Sequence, residues 1–205
     1  MQQWLKKRKK EFFYKRAKSE EYRARSAYKL IELQEKFHLV KKGDVVLDLG
    51  AAPGSWSQVA LEFAGKSGKV IGVDILPIAP IAGNFVFIQG DLTRPEVIEK
   101  IKAVTKKIDV VISDAAPEFS GIKTIDIGAA AYLNSASLEI ARKVLKEGGN
   151  FVCKSFQGSE FQDFLKEAKK VFSDVKTVKP AASEKKSPEI YVIGLKFKKE
   201  KQQGK

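Results

Sequence analysis

The side chains able to move protons are unevenly supplied in this chain. One histidine, His38, and one cysteine, Cys153, stand against 38 Lys and Arg and 25 Asp and Glu. So little histidine argues against His-rich metal sites and against most Ser-His and Cys-His triads. Acid–base work therefore falls to Lys, Asp, Glu or Tyr. Four such residues share a position in the local pattern. Asp74 closes the apolar run VIGVD, Asp91 follows FVFIQG, Asp114 closes VVISD, and Lys154 closes NFVCK. If those runs are strands of one parallel sheet, all four groups fall at its carboxyl edge, where open α/β sheets bind ligands. An acid at the end of the second strand can accept hydrogen bonds from both ribose hydroxyls of a nucleoside cofactor. Lysine is among the residues least often buried, so Lys154 at the end of an apolar strand needs partners.

The elements that would position these groups are legible from period and punctuation. Apolar runs predict strands over Val45–Leu49, Val70–Val73, Phe85–Ile88, Val110–Ser113 and Asn150–Lys154. Helical patterns cover Ser26–Phe37, Trp56–Ala64, Pro95–Val104, Ile127–Leu145 and Glu160–Phe172. Strands alternating with helices imply βαβ units and a parallel sheet covered on both faces. Between the second and third strands, DILPIAPIAGN carries two prolines, which argue against a full helix there. Two further strands, Val175–Val178 and Ile190–Phe197, are joined by the polar loop KPAASEKKSP and predict an antiparallel hairpin at a sheet edge. The first strand runs into VVLDLGAAPGSW, a strand, a glycine turn and a helix start. Gly50 and Gly54 there permit positive φ or close approach to a ligand. The spacing is not the dinucleotide fingerprint G-x-G-x-x-G.

The 205 residues suit one domain, and the formal charge of +13 points to a polyanionic partner, nucleic acid first. Much of the excess lies in residues 1–24, a basic arm interleaved with Trp4, Phe12, Phe13, Tyr14 and Tyr22, suited to phosphates and exposed bases. Residues 25–198 form the domain, and 199–205 read as a disordered basic tail. One cysteine allows no intramolecular disulfide and fits a reducing, cytoplasmic compartment. The sequence has no transmembrane run and no signal-like N-terminus.

Taken in order, VVLDLGAAPGSWSQ, GVD, QGDL, SDAAPEFSG, FVCKSFQG and SPEIYVIG resemble the FtsJ/RrmJ family of S-adenosylmethionine-dependent RNA ribose 2′-O-methyltransferases, from about Arg25 to Phe197. The resemblance implies a Rossmann-like methyltransferase fold, with a seven-stranded, mostly parallel sheet, one antiparallel strand and helices on both faces. It implies a cofactor pocket lined by Gly54, Trp56, Asp74, Asp91 and Asp114. It also implies a catalytic Lys-Asp-Lys-Glu set at Lys29, Asp114, Lys154 and Glu189, with no metal ion. Two positions depart from the family pattern: Ser55 stands where many relatives have a second glycine, and Glu118 where asparagine is common.

Such a set has a physical rationale. A ribose 2′-hydroxyl is a poor nucleophile whose proton must leave as attack proceeds. A lysine can take it where burial and a second cation, here Lys29, favour the free amine. Asp114 and Glu189 favour the ammonium instead and would orient it, so Lys154 is either the base or a group that aims the oxygen. With Lys123 and the loop Lys179–Pro188 as further phosphate contacts, RNA is the expected partner of a monomeric enzyme. The compact form is most similar to family members that methylate a uridine of large-subunit ribosomal RNA. A tRNA substrate, or a non-catalytic role in RNA binding and ribosome assembly, are the alternatives.

Overall fold

In a computed structural model, residues 22–118, 120–158, 160–183 and 187–199 are described. The aromatics expected in the arm before Tyr22, the Lys123 side chain, residues 184–186 of the basic loop and the tail from 200 onward lie outside them. Seven strands, β1 (Val45–Leu49), β2 (Lys69–Asp74), β3 (Phe85–Gln89), β4 (Ile108–Ser113), β5 (Leu145–Phe156), β6 (Phe172–Val178) and β7 (Glu189–Phe197), form one sheet in the order β3-β2-β1-β4-β5-β7-β6. Strands β1 to β5 pair in parallel, and β7 runs antiparallel to both β5 and β6. The architecture is the Rossmann-like methyltransferase sheet expected from the sequence, with β7 as its reversed strand. Among the described residues, five helices flank it: α1 (Ala27–Phe37), α2 (Ser55–Ala64), α3 (Glu96–Val104), α4 (Lys123–Val144) and α5 (Phe161–Val171). The connection from β2 to β3 forms no helix, as its prolines require.

Strand order reverses between β1 and β4, and a crevice opens at such a switch point. Alternation along the strands then decides which side chains share a face. Val46 on β1, Val110 and Ile112 on β4, Val152 on β5 and Tyr191 and Ile193 on β7 pack against Ala27, Leu30 and Leu33 of α1 and Val59 and Ala60 of α2. Leu47, Leu49, Val111, Phe151, Cys153 and Val192 pack on the opposite side with α3, α4 and α5. By the same parity Asp48, Asp114, Lys154 and Glu189 belong to the α1 face. Because β7 is reversed, its first residues return to the carboxyl edge of β5, with Lys154 opposite Tyr191 and Phe156 opposite Glu189.

Several boundaries differ from the sequence expectation: α4 begins at Lys123 rather than Ile127, β4 at Ile108 rather than Val110, and β5 runs on to Phe156; two further shifts have a visible cause. Phe172 reads as the last residue of a helix, yet its backbone is extended and it opens β6. Its ring packs 5.6 Å from that of Phe151 and 5.5 Å from that of Phe197, so tertiary burial takes the residue from the helix. Strand β5 begins at Leu145 rather than Asn150, because the chain passes directly from α4 into extended structure. The Lys146–Gly149 stretch is absorbed as a register shift against β4.

Candidate active site

The four residues of the expected catalytic set meet at the carboxyl edge as two ion pairs. Lys29, on α1, places Nζ 2.7 and 2.8 Å from the two carboxylate oxygens of Glu189. Lys154, only 8 % exposed, places Nζ 3.2 Å from Asp114 Oδ1 and donates to the Asp114 main-chain carbonyl at 2.5 Å. Each lysine thus has its own carboxylate, and the four formal charges cancel. Buried charges are tolerated when paired in this way. The direct partner of Lys154 is Asp114, while Glu189 holds Lys29 and feels Lys154 through space.

Supporting groups fix both pairs. The Tyr191 hydroxyl donates to Asp114 Oδ1 at 2.6 Å, and its ring lies 5.8 Å from Lys29 Nζ and is stacked on Trp56 at 5.8 Å. Burial, aided by the charges of Asp114 and Glu189, raises the Tyr191 hydroxyl well above its ordinary pKa, so it remains a donor. Ser183 donates to Glu189 Oε1 at 2.7 Å. Burial works to raise the Glu189 carboxyl, but hydrogen bonds from Lys29 and Ser183 and the charges of Lys29 and Lys154 outweigh it. The carboxyl is held below the usual glutamate range. Neither Tyr191 nor Ser183 was singled out from sequence. For Tyr191 the signal existed: two residues beyond Glu189 on a strand is the same face.

The other half of the edge is built around the turn between β1 and α2. Gly50 has φ +72°, and a Cβ there would sit 2.6 Å from Ala115 Cβ, so the turn and the segment after Asp114 pass in contact. Gly54 has φ +107° and caps α2. Asp74 reaches back to this turn, accepting the Ala52 N–H on Oδ2 at 2.8 Å and the Leu76 N–H on Oδ1 at 2.8 Å. Asp91 accepts the Thr93 hydroxyl at 2.7 Å and N–H at 2.8 Å, and these bonds hold it below the usual carboxylate range. Each of these carboxylates keeps lone pairs for further donors, and both remain accessible. A nucleoside with vicinal hydroxyls matches that donor demand, so the residues present fit such a cofactor. Trp56, by contrast, is 2 % exposed. Its indole N–H donates to the Ser26 carbonyl at 2.8 Å, and its ring braces Tyr191.

A further acid lies beneath the turn. Asp48 on β1 is fully buried; Oδ2 accepts the Ser57 hydroxyl at 2.6 Å and Oδ1 has no partner. Burial raises its pKa to about 7, with the charges of Asp114 and Asp74 adding and the Ser57 bond opposing. Among the described residues no group of three or more His, Cys, Asp or Glu side chains could hold a metal ion, and no helix is long and apolar enough to cross a membrane.

The chain matches known proteins along its length. A family model described as FtsJ-like methyltransferase matches residues 22–197. The ribosomal RNA large subunit methyltransferase E of Methanobrevibacter smithii is 50 % identical over 200 residues, covering 97 % of this chain and 95 % of that protein. The protein of the same name from Acinetobacter baylyi is 46 % identical over 198 residues, covering 96 % and 91 %. Among solved structures, a ribosomal RNA methyltransferase from Plasmodium falciparum superposes with a TM-score of 0.77 at 36 % identity, covering 86 % of this chain and 98 % of that one. Aeropyrum pernix fibrillarin, solved with bound S-adenosyl-L-methionine, shares the fold at a TM-score of 0.59 and 20 % identity, covering 83 % and 76 %. With a match to that family model from Tyr22 to Phe197 and half its residues shared with a full-length relative, the chain belongs to the FtsJ-like methyltransferase family.

Proposed function

We propose that this chain uses S-adenosylmethionine to methylate a ribose 2′-hydroxyl of large-subunit ribosomal RNA, at a uridine. The observation that carries the reading is the juxtaposition at one sheet edge of accessible carboxylates, Asp74 and Asp91, with the two closed ion pairs Lys29–Glu189 and Lys154–Asp114. The relatives named as large-subunit ribosomal RNA methyltransferases supply the substrate class.

Bound in the crevice, the cofactor would supply an electrophilic methyl on a sulfonium, and the 2′-hydroxyl proton displaced on attack would pass to Lys154 as the amine, or to water where Lys154 is the ammonium. Asp74 and Asp91 would hold the ribose and purine end of the cofactor, with the glycine turn beside them. Lys154 has two of its Nζ positions committed to the Asp114 carboxylate and carbonyl. Its third position meets the incoming 2′-hydroxyl, as an N–H that aims the oxygen in the ammonium form, or as a lone pair that takes the proton in the amine form. Lys29 and Glu189 keep the cluster neutral and hold the Lys154 side of the site dry. With reactants so aligned, proximity alone supplies up to about 7–11 kcal/mol of barrier reduction. Residues 1–24, Arg23 apart, form the arm that grips RNA phosphates, and residues 25–198 the catalytic domain of a monomer.

The test is methyl transfer from tritiated S-adenosylmethionine to ribosomal subunits lacking the modification, with tRNA in parallel, followed by nucleoside analysis of the labelled RNA. Label in 2′-O-methyluridine of the large-subunit RNA is expected. Label on a base, or in tRNA alone, overturns the reading.

A further inference from the structure

Arg23 falls in the span expected to grip RNA, yet its guanidinium is turned onto the protein. Nη1 donates to the carbonyls of Pro53 at 3.0 Å and Ala79 at 2.8 Å, and Nη2 to the carbonyl of Pro80 at 2.6 Å. Its own main-chain N–H donates to Gln58 Oε1 on α2 at 3.0 Å, so the residue is itself anchored. Pro53 lies in the glycine turn; Ala79 and Pro80 lie in the β2–β3 connection. These are the two segments that Asp74 stitches together from within through the Ala52 N–H.

The β2–β3 connection needs an outside fastener. Its prolines lack N–H groups, it has no regular structure, and Ile75 and Leu76 are about 60 % exposed. Among the described residues, the hydrogen bonds that reach residues 77–82 come from Arg23. The contact is also packed tightly. A Cβ on Gly54 would lie 2.8 Å from Ile81 Cδ1, 3.0 Å from Arg23 Nη1 and 3.3 Å from Ile78 Cγ2. Gly54 therefore lets the guanidinium and the connection close on the turn. A planar fork can bridge carbonyls from two segments at once, which a lysine ammonium on a flexible stem does less well.

On the reading that this crevice takes S-adenosylmethionine, we propose that Arg23 is a positioning residue for the cofactor: it clamps the β2–β3 connection to the glycine turn and so pre-forms the pocket. Pre-formed walls spare the ligand the cost of ordering them. The charge of Arg23 then serves main-chain carbonyls rather than RNA phosphates.

Isothermal titration of the full chain with S-adenosylhomocysteine, without RNA, tests this. Arg23→Ala is expected to weaken binding by about tenfold, the scale of one or two hydrogen bonds from a charged donor. Arg23→Lys should fall between it and the parent. In turnover the loss should appear in KM for the cofactor rather than in kcat, with KM for RNA unchanged. Millimolar methylguanidinium should recover part of the affinity of Arg23→Ala, a response that general loosening of the fold does not produce. Unchanged cofactor affinity in both variants, or a rise confined to KM for RNA, overturns the proposal. If the parent itself fails to bind, the cofactor reading falls first and takes this one with it.

Discussion

At the β5–β7 end of the crevice, the side chains of Lys29, Asp114, Lys154 and Glu189 are between 9 % and 16 % exposed, and each carboxylate is bonded to a lysine and a hydroxyl. At the β2–β3 end, Asp74 and Asp91 bond to main-chain N–H groups and a threonine hydroxyl, and the Asp91 side chain is 44 % exposed. Both ends lie on one sheet edge, and both are built on strand-end acids. The difference lies in what completes them. The first is already charge-balanced, and on the proposed reading it would need from a substrate only one oxygen at Lys154. The second is open: among the described residues, Asp91 faces a cation only in the exposed Arg94, at 3.9 Å, and the remaining lone pairs of Asp74 and Asp91 are free for donors from a ligand. The proposed function then sets reaction geometry where charge is controlled and gathers affinity where water can be displaced.

The sharpest way to break that contrast is to remove one group from each end. Lys154→Met should lower methyl transfer by about 10³-fold or more, the loss of proton transfer and orientation together, while the dissociation constant for S-adenosylhomocysteine stays within about threefold. Asp74→Asn should do the reverse. Cofactor binding should weaken by about 10–100-fold, the scale of one lost charge-assisted hydrogen bond, with most of the transfer rate recovered at saturating cofactor. Single-turnover rates and calorimetry on the two variants check this. If both lose affinity and rate equally, the two ends are one unit.

Much of this arrangement was legible in the sequence, for identifiable reasons. Strand-end acids and Lys154 stand out because several charges close apolar runs at what a parallel sheet makes a single edge. Glu189 joins them only because β7 is reversed, which the short polar loop between two strands already suggested. What was not legible depends on partners without a sequence signature. Arg23 reads as one more cation of a basic arm, because carbonyl acceptors can be supplied by any residue. Ser183 lies in a loop whose course is set by Glu32, which accepts the Ala181 N–H from α1. Phe172 satisfies a helical period and a strand start equally, and only its stacking on Phe151 decides.

Asp48 lies under the junction of the two ends and sharpens the comparison through pH. Its pKa in the fold, about 7, exceeds the ordinary aspartate value of about 3.8, so the folded state binds the extra proton between those values. Stability should therefore fall as pH rises from about 4 to about 7 and stay low above that. Asp48→Asn keeps an acceptor for Ser57 and removes the titration. Relative to the parent it should gain on the order of 2–4 kcal/mol between pH 5 and pH 8, an upper scale for a shift of this size. Urea midpoints at the two pH values measure it. Parallel profiles for the two proteins would mean that the carboxylate is better solvated than its burial implies, and that the open end extends beneath the turn.

The smallest effect is expected at Cys153, and it bears on the closed end alone. Cys153 neighbours Lys154 on β5 but points to the opposite face, where it is 1 % exposed and packed among Phe151, Val192 and the helices α4 and α5. Burial pushes its thiol up to about 12, with the charge of Lys154 and bonds from Ser113 and Ser137 pulling only partly against it. Thiolate is the reactive form, so the native protein should resist iodoacetamide at pH 8, with modification no faster than unfolding exposes the residue. Mass spectrometry of timed samples, with a urea-unfolded control, reads the rate. Rapid labelling of the folded protein would mean that water reaches the floor of the sheet beneath Lys154. The ion pairs above it would then sit in a wetter medium than their burial suggests, and the contrast between a dry end and an open end would shrink to a difference in partners.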